Sequence, residues 1–164
     1  ITIGFATQAL AGWSLSTMDV NLTTGDVLWA IFAQGFGVGI LWPPITVVAF
    51  STLPRMQMPE GTAVYHLLRN IGSSVHISLS IAIVLRMSRT SYAELAPSVS
   101  AFDELLAMPW VTGAFNLESQ AGLAALSGEM ARQSAMLGYI SSFHFFTWTA
   151  LAVLPLVFLV RLRR

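Results

Sequence analysis

The sequence contains no cysteine, no lysine and few charged residues of either sign. Without Cys the chain can form no disulfide and offers neither a thiol nucleophile nor a thiolate metal ligand. Charged residues make up 10% of the chain, whereas a soluble domain usually carries about 25% because its surface must hold water. The eight Arg residues balance eight acidic residues, so nothing in the charge favours a nucleic-acid partner. So few charges indicate a protein solvated by lipid.

The hydrophobic residues, 55% of the total, lie in long runs, and the mean hydropathy is +0.69. Three runs have the roughly 20 residues that a membrane-spanning helix needs: 27–53, 65–87 and 136–160. A fourth run, 1–15, would be about 22 Å long as a helix, which is too short to cross the hydrocarbon core. We interpret it as the end of a helix that starts upstream, and the chain as a fragment. The predicted fold is an all-α polytopic membrane protein with four transmembrane helices in the lipid bilayer.

The distribution of Arg and acidic residues predicts the orientation of these spans. Arg55, Arg69 and the terminal cluster Arg161–Arg164 favour the cytoplasmic side under the positive-inside rule. The turn 14–26 and the long acidic loop 88–135 would then lie outside, and the C-terminus in the cytoplasm. Within that loop, amphipathic spacing over 99–107 and 117–132 indicates helices that lie on the membrane or lead into the last span.

The third span contains polar residues that recur at helical spacing. At 100° per residue they fall within about a third of the helix circumference. They are His66, Arg69, Asn70, Ser73, His76 and Ser80. Because lipid would penalise such a stripe, it should face protein or a water-filled cavity. It either lines a transport pathway or supplies hydrogen bonds between helices, and the sequence leaves both readings open.

Two histidines lie inside predicted spans. His76 is near the middle of the third span, and His144 is nearer the outer end of the fourth. An intramembrane His can relay protons or bind a substrate, although a neutral packing residue is more common. A haem held between the two is a remote alternative, because both would have to lie at matched depth.

The second span contains the run Gln34-Gly35-Phe36-Gly37-Val38-Gly39 and then Pro43-Pro44. Gly35 and Gly39 form a small-xxx-small pattern that predicts close approach of another helix. The prolines remove two amide donors and predict a kink near Ile40, which would serve as a gating bend or expose carbonyls to a cavity.

Several functional groups are absent from the predicted spans. None contains Asp or Glu, the residues that commonly couple transport to protons or cations. The sequence also shows no metal-ligand cluster and no adjacent nucleophile and base. We therefore predict no enzyme activity, no metal and no cofactor.

The same residues resemble a known family, the EmrB/QacA-type drug:proton antiporters, which are fourteen-helix members of the major facilitator superfamily. The resemblance rests on the glycine run and proline pair above and on short motifs along the rest of the chain. They are Ser51-Thr52-Leu53-Pro54, Gly61-Thr62-Ala63, Leu68-Arg69-Asn70-Ile71-Gly72-Ser73-Ser74, Gln133–Ile140, Phe143 and Pro155-Leu156. The chain departs from the pattern at His76, where relatives often carry Gly.

The resemblance implies that the chain supplies helices eleven to fourteen, the C-terminal part of the transporter domain. It implies export of small amphipathic compounds in exchange for protons across a bacterial inner membrane, with a periplasmic adaptor as a further partner. Gly72 would then belong with Gly35, Gly39, Pro43 and Pro44 among the close-packing and kink positions. The family's best-known signatures lie in its N-terminal half, so no coupling residue carries over. The alternatives are a non-transporting sensor or assembly module and, less favoured, a haem-binding membrane subunit.

Overall fold

A computed structural model describes residues 1–98, Phe115 and 119–159, and these residues are mostly helical with no strand. The four α-helices of these described residues are α1 (Thr2–Ser16), α2 (Thr24–Phe50), α3 (Met58–Leu95) and α4 (Gln120–Leu159). Two short 3-10 turns, Arg55–Gln57 and Ala96–Ser98, lie before and after α3. The prediction of an all-α fold is confirmed.

Three of these helices are long and apolar enough to cross a membrane, namely α2, α3 and α4. Almost none of their most hydrophobic windows is covered by other described residues. Long apolar helices with uncovered surfaces define an all-α polytopic membrane protein, because lipid is the solvent that tolerates them.

Local sequence signals fix the ends of α2. The backbone N–H of Thr23 donates to the Asp26 carboxylate at 3.3 Å, and Asp26 also complements the helix dipole in the first turn. After Phe50 the chain turns into Leu53 and Pro54. Proline disfavours helical geometry in the residue before it, so α2 ends there and α3 starts afresh at Met58.

The helices α3 and α4 extend beyond the predicted spans 65–87 and 136–160. At 1.5 Å per residue, 38 and 40 residues give about 57 and 60 Å, roughly twice the hydrocarbon thickness. Both ends of the predicted outer loop 88–135 are therefore helical, and the segment 120–132 leads straight into the last predicted span. The expected amphipathic segment 99–107, residues 116–118 and the cluster Arg161–Arg164 lie outside the described residues.

The described chain forms two compact units. The first contains Ile1–Ile81 and the segment from Ser142 onward. Its small core forms where α1 packs on α2 and on the C-terminal half of α4; the buried apolar residues are Ala9, Ala11, Leu15, Ala30, Leu41 and Ala150. Most of these residues are Ala, so the backbones of the helices approach closely.

The second unit, Ala82–Ser141, pairs the C-terminal part of α3 with the N-terminal part of α4. A methyl group on Gly138 would meet the Ser88 side chain and lie 2.7 Å from the carbonyl oxygen of Val84, so the two helices touch through small residues. Nearer the loop, Arg132 donates two 2.9 Å hydrogen bonds to Glu129. These bonds, ahead of the predicted span, hold the pKa of the Glu129 carboxyl below its usual value.

Candidate functional site

The contact between α1 and α2 is organised around a buried glutamine. Gln8 is only 5% exposed, and its side-chain amide donates a 2.7 Å hydrogen bond to the backbone oxygen of Gln34. The neighbouring Gly37 leaves room for this contact, since a methyl group there would lie 2.8 Å from the Gln8 nitrogen. In an apolar environment an amide needs such a partner. Gln8 therefore fixes how α1 and α2 pack.

Next to Gln8, the first unit contains an open cavity of about 260 Å³ that includes His76. The imidazole stacks on Phe145, with ring centroids 5.1 Å apart and an angle of 19° between the planes, and meets the edge of Phe146. Three polar side chains, Gln8, His76 and Thr149, line the cavity together with Phe5, Val38, Phe146, Ala150 and Val153. No carboxylate is among these eight lining residues. The cavity is thus apolar with a few polar groups, as small-molecule sites commonly are.

His144 lies elsewhere in the same unit, against α1. Its ring meets the edge of the Trp13 indole at a centroid distance of 6.1 Å. One turn further along α4, the hydroxyl of Thr147 donates to the Phe143 carbonyl oxygen and is almost fully buried opposite Gly12. His144 therefore contributes to the contact between α1 and α4 and does not line the cavity around His76.

Arg69 lies over the indole of Trp42, with its guanidinium carbon 3.9 Å from the ring centroid. This cation–π contact joins α3 to α2 beside a groove of about 340 Å³. The groove is lined by Trp42, Ile45, Tyr65, Leu68 and Arg69. Tyr65 in turn contacts Phe50, near the end of α2, at a centroid distance of 5.4 Å.

Two further predicted polar residues of α3, Asn70 and Ser73, are exposed in the structure. The Ser73 hydroxyl donates a 2.9 Å hydrogen bond to the Asn70 carbonyl oxygen, which satisfies it within its own helix. Gly72 lies between them with open space beyond its Cα. Asn70 and Ser73 are therefore available to water or to a further helix, and their place in a pathway stays a prediction.

The glycines of α2 do not all behave as their spacing predicts. Within the part of the chain that the structure describes, nothing would lie within 4 Å of a methyl group on Gly35 or Gly39. The close approach is made instead by Gly37, which faces α1. A helix turns 100° per residue, so residues two positions apart lie on nearly opposite faces. The predicted contact at Gly35 and Gly39 is thus not made by described residues.

The helix α2 remains continuous through Pro43 and Pro44. Proline has no amide hydrogen, so the carbonyl oxygens of Gly39 and Ile40 lose their usual helical donors. The segment before the prolines packs on α1 through Gly37 and Leu41, and Trp42, directly before Pro43, contacts Arg69 of α3. After the prolines, Phe50 contacts Tyr65 of α3. The proline pair therefore lies between the contacts with α1 and the contact that Phe50 makes with α3.

The six predicted pathway residues lie in separate regions rather than in one site. His76 and the Gln34 backbone lie near the buried Gln8, and Arg69 lies at the Trp42 groove. Asn70 and Ser73 contact each other within α3, and His144 packs on Trp13. Sequence reasoning missed Gln8, Trp42 and Gly37. A usable signal was present in α1, where Gly4, Gln8, Gly12 and Ser16 recur every four residues as a helix-packing face does.

Comparison with known proteins shows which proteins the sequence of this chain is similar to. The chain is 23% identical to the multidrug export protein EmrB of Haemophilus influenzae over 98% of its own length and 31% of that protein. It is 25% identical to the colistin resistance protein EmrB of Acinetobacter baumannii over 48% of the chain and 15% of that protein. It is also 23% identical to the probable multidrug resistance protein EmrY of Escherichia coli over 63% of the chain and 20% of that protein.

These comparisons confirm the predicted resemblance to EmrB-type multidrug transporters. The chain spans less than a third of the length of these relatives. No family model matches the chain, and no solved structure matches it.

Proposed function

We propose that the chain is the C-terminal part of a multidrug exporter that exchanges small amphipathic compounds for protons. The observation that carries this proposal is the similarity to a multidrug export protein over 98% of the chain. The three apolar helices support it, because each is long and apolar enough to cross a membrane. We assign the complete protein to the fourteen-helix group of the major facilitator superfamily.

The geometry suggests how this part of an exporter would work. Pro43 and Pro44 lie between the contacts of Gly37 and Leu41 with α1 and the contact of Phe50 with α3, so a bend at the prolines would move the end of α2 relative to α1. Alternating access requires such a bend or a rigid-body rotation. No carboxylate lines the cavity around His76, so we place the proton-coupling carboxylate in the rest of the complete protein.

We further propose a bacterial inner-membrane location, with the α2–α3 connection and the C-terminus in the cytoplasm. The distribution of Arg residues supports this orientation. A periplasmic adaptor protein would then meet the outer face, where the acidic loop 88–135 lies.

The test uses the complete protein that contains this chain, expressed in bacteria deleted for their own multidrug exporters. We expect reduced susceptibility to amphipathic drugs and dye efflux that stops when a protonophore collapses the proton gradient. Protection that survives the protonophore would overturn proton coupling while leaving export intact. If no compound is exported at verified membrane levels, the exporter proposal is wrong.

A matched pair of Arg variants tests whether α3 takes part in export. Arg69→Ala should impair efflux more than Arg89→Ala, because Arg69 contacts the Trp42 ring, whereas Arg89 makes no contact of this kind with described residues. Efflux rates are compared at equal protein levels. Equal efflux rates for the two variants would show that the polar stripe of α3 takes no part in export.

A further inference from the structure

The groove between α2 and α3 has the composition of a lipid site. We propose that it binds an anionic phospholipid, with the phosphate held by Arg69, the glycerol region beside Ile45 and Leu68, and an acyl chain that passes Trp42 toward the membrane interior. The proposal concerns the membrane leaflet that meets the α2–α3 connection and does not depend on which compounds the protein moves.

The first argument is the unused hydrogen-bonding capacity of Arg69. The guanidinium carbon of Arg69 lies 3.9 Å from the centroid of the Trp42 ring, and the group carries five N–H donors. Among the described residues, Arg69 forms no ion pair and no side-chain hydrogen bond. A phosphate can accept two of these N–H donors in parallel, which is the geometry that guanidinium groups favour.

The second argument is depth. Tyr65 and Phe50 meet near the end of α2, where an aromatic belt is expected, and Arg69 lies one turn, or about 6 Å, further along α3. A charge at that depth costs free energy unless it finds a counter-charge. The long Arg stem lets the guanidinium meet a headgroup phosphate drawn slightly inward.

The third argument is the shape and polarity of the groove. Its floor is formed by the indole of Trp42 and the side chains of Ile45 and Leu68, and Leu68 is 63% exposed. An Asp or Glu carboxylate from another helix would pair with Arg69 but would leave the apolar surface of the groove uncovered. A phospholipid supplies both the anion and the acyl chain.

The preference for a net negative headgroup follows from the nearby charges. Residues 54–69 carry Arg55 and Arg69 against a single carboxylate, that of Glu60. Basic pockets between transmembrane helices attract anionic lipid headgroups. A zwitterionic lipid would gain less, because its cationic group has only Glu60 to approach.

Native mass spectrometry of the complete protein with phosphatidylglycerol or phosphatidylcholine tests the proposal. We expect the wild type to retain more phosphatidylglycerol, by about fivefold at the site that Arg69 forms. Arg69→Ala should lose this preference, and Arg69→Lys should keep part of it because the charge remains. Arg89→Ala, at the other end of the same helix, should behave as the wild type.

Tryptophan fluorescence provides a second readout, for which no label has to be attached to the protein. Phosphatidylglycerol with brominated acyl chains should quench Trp42, so that the wild type loses more emission than Trp42→Phe does. Brominated phosphatidylcholine should quench less. Equal lipid retention by the wild type and Arg69→Ala would overturn the proposal. So would an absence of Trp42 quenching, which would show that another helix covers the groove.

Discussion

The glycines of α2 provide a matched pair of positions on one helix. A methyl group on Gly37 would lie 2.8 Å from the Gln8 amide nitrogen and 3.3 Å from the Thr7 side chain, whereas nothing described lies within 4 Å of one on Gly35. Gly37→Ala should lower stability by about 1–3 kcal/mol, because an extra carbon must push the two helices apart. Gly35→Ala should have a much smaller effect. Thermal stability measured by size-exclusion chromatography after heating compares them, and equal losses would contradict the α1–α2 packing.

The role of His76 can be separated into packing and chemistry. A phenyl ring can replace the imidazole on Phe145 but has no ring nitrogen to hydrogen-bond a molecule in the cavity, which Gln8 and Thr149 also line. His76→Phe should therefore keep the melting temperature, while His76→Ala should lower it, since stacked aromatic pairs contribute about 0.5–1.5 kcal/mol.

We expect both His76 variants to reduce efflux, because both remove the ring nitrogens. The comparison is made as dye efflux per folded protein across pH 6 to 8. If His76→Phe exported like the wild type at every pH, His76 would be a packing residue only.

At the scale of single elements, the proline pair in α2 is the feature with the clearest consequence. Replacing Pro43 and Pro44 by Ala restores amide donors to the carbonyl oxygens of Gly39 and Ile40. We expect the double variant to melt at a higher temperature and to export more slowly, because a straight helix bends less readily. A variant with unchanged stability and unchanged efflux would show that α2 does not bend at the prolines.

The helices also show which structural features the sequence patterns predicted and which they did not. The hydrophobic runs located the four helices of the described residues, because a span needs about 20 apolar residues and few charges. They missed the extensions of α3 to Leu95 and of α4 back to Gln120, since hydropathy marks where lipid begins and not where a helix ends. Capping residues and proline mark the helix ends, as Asp26 and Pro54 do for α2.

At the scale of the whole molecule, most large apolar side chains are uncovered. Ile3, Trp29, Phe32, Val47 and Leu67 are each more than half exposed. In water such a surface would drive aggregation, whereas lipid and further helices can cover it. The chain spans 31% of the length of the H. influenzae relative, and the complete protein proposed above would supply both kinds of cover.

The orientation of the molecule is open to a direct test, and the absence of Cys provides a clean background in this chain. Met56 is 93% exposed in the turn before α3, and Asn21 is exposed in the turn before α2. In the complete protein with any other Cys removed, Met56→Cys should react with a membrane-impermeant maleimide only after the cells are opened. Asn21→Cys should react in spheroplasts. Labelling of both from the same side would overturn the proposed orientation.

The sequence by itself determined the fold class, the approximate positions of the four helices in the described residues, and the resemblance to multidrug transporters. The fold class and the helix positions depend on composition and on the lengths of the hydrophobic runs, whereas the resemblance depends on short sequence motifs. It also singled out His76 and Arg69, because a polar group in an apolar run is conspicuous. Only the tertiary structure decided that Arg69 meets Trp42, that His76 stacks on Phe145 and that Gly37 is the packed glycine. Those contacts depend on how each helix is rotated about its axis, and that rotation is set by neighbouring helices distant in sequence.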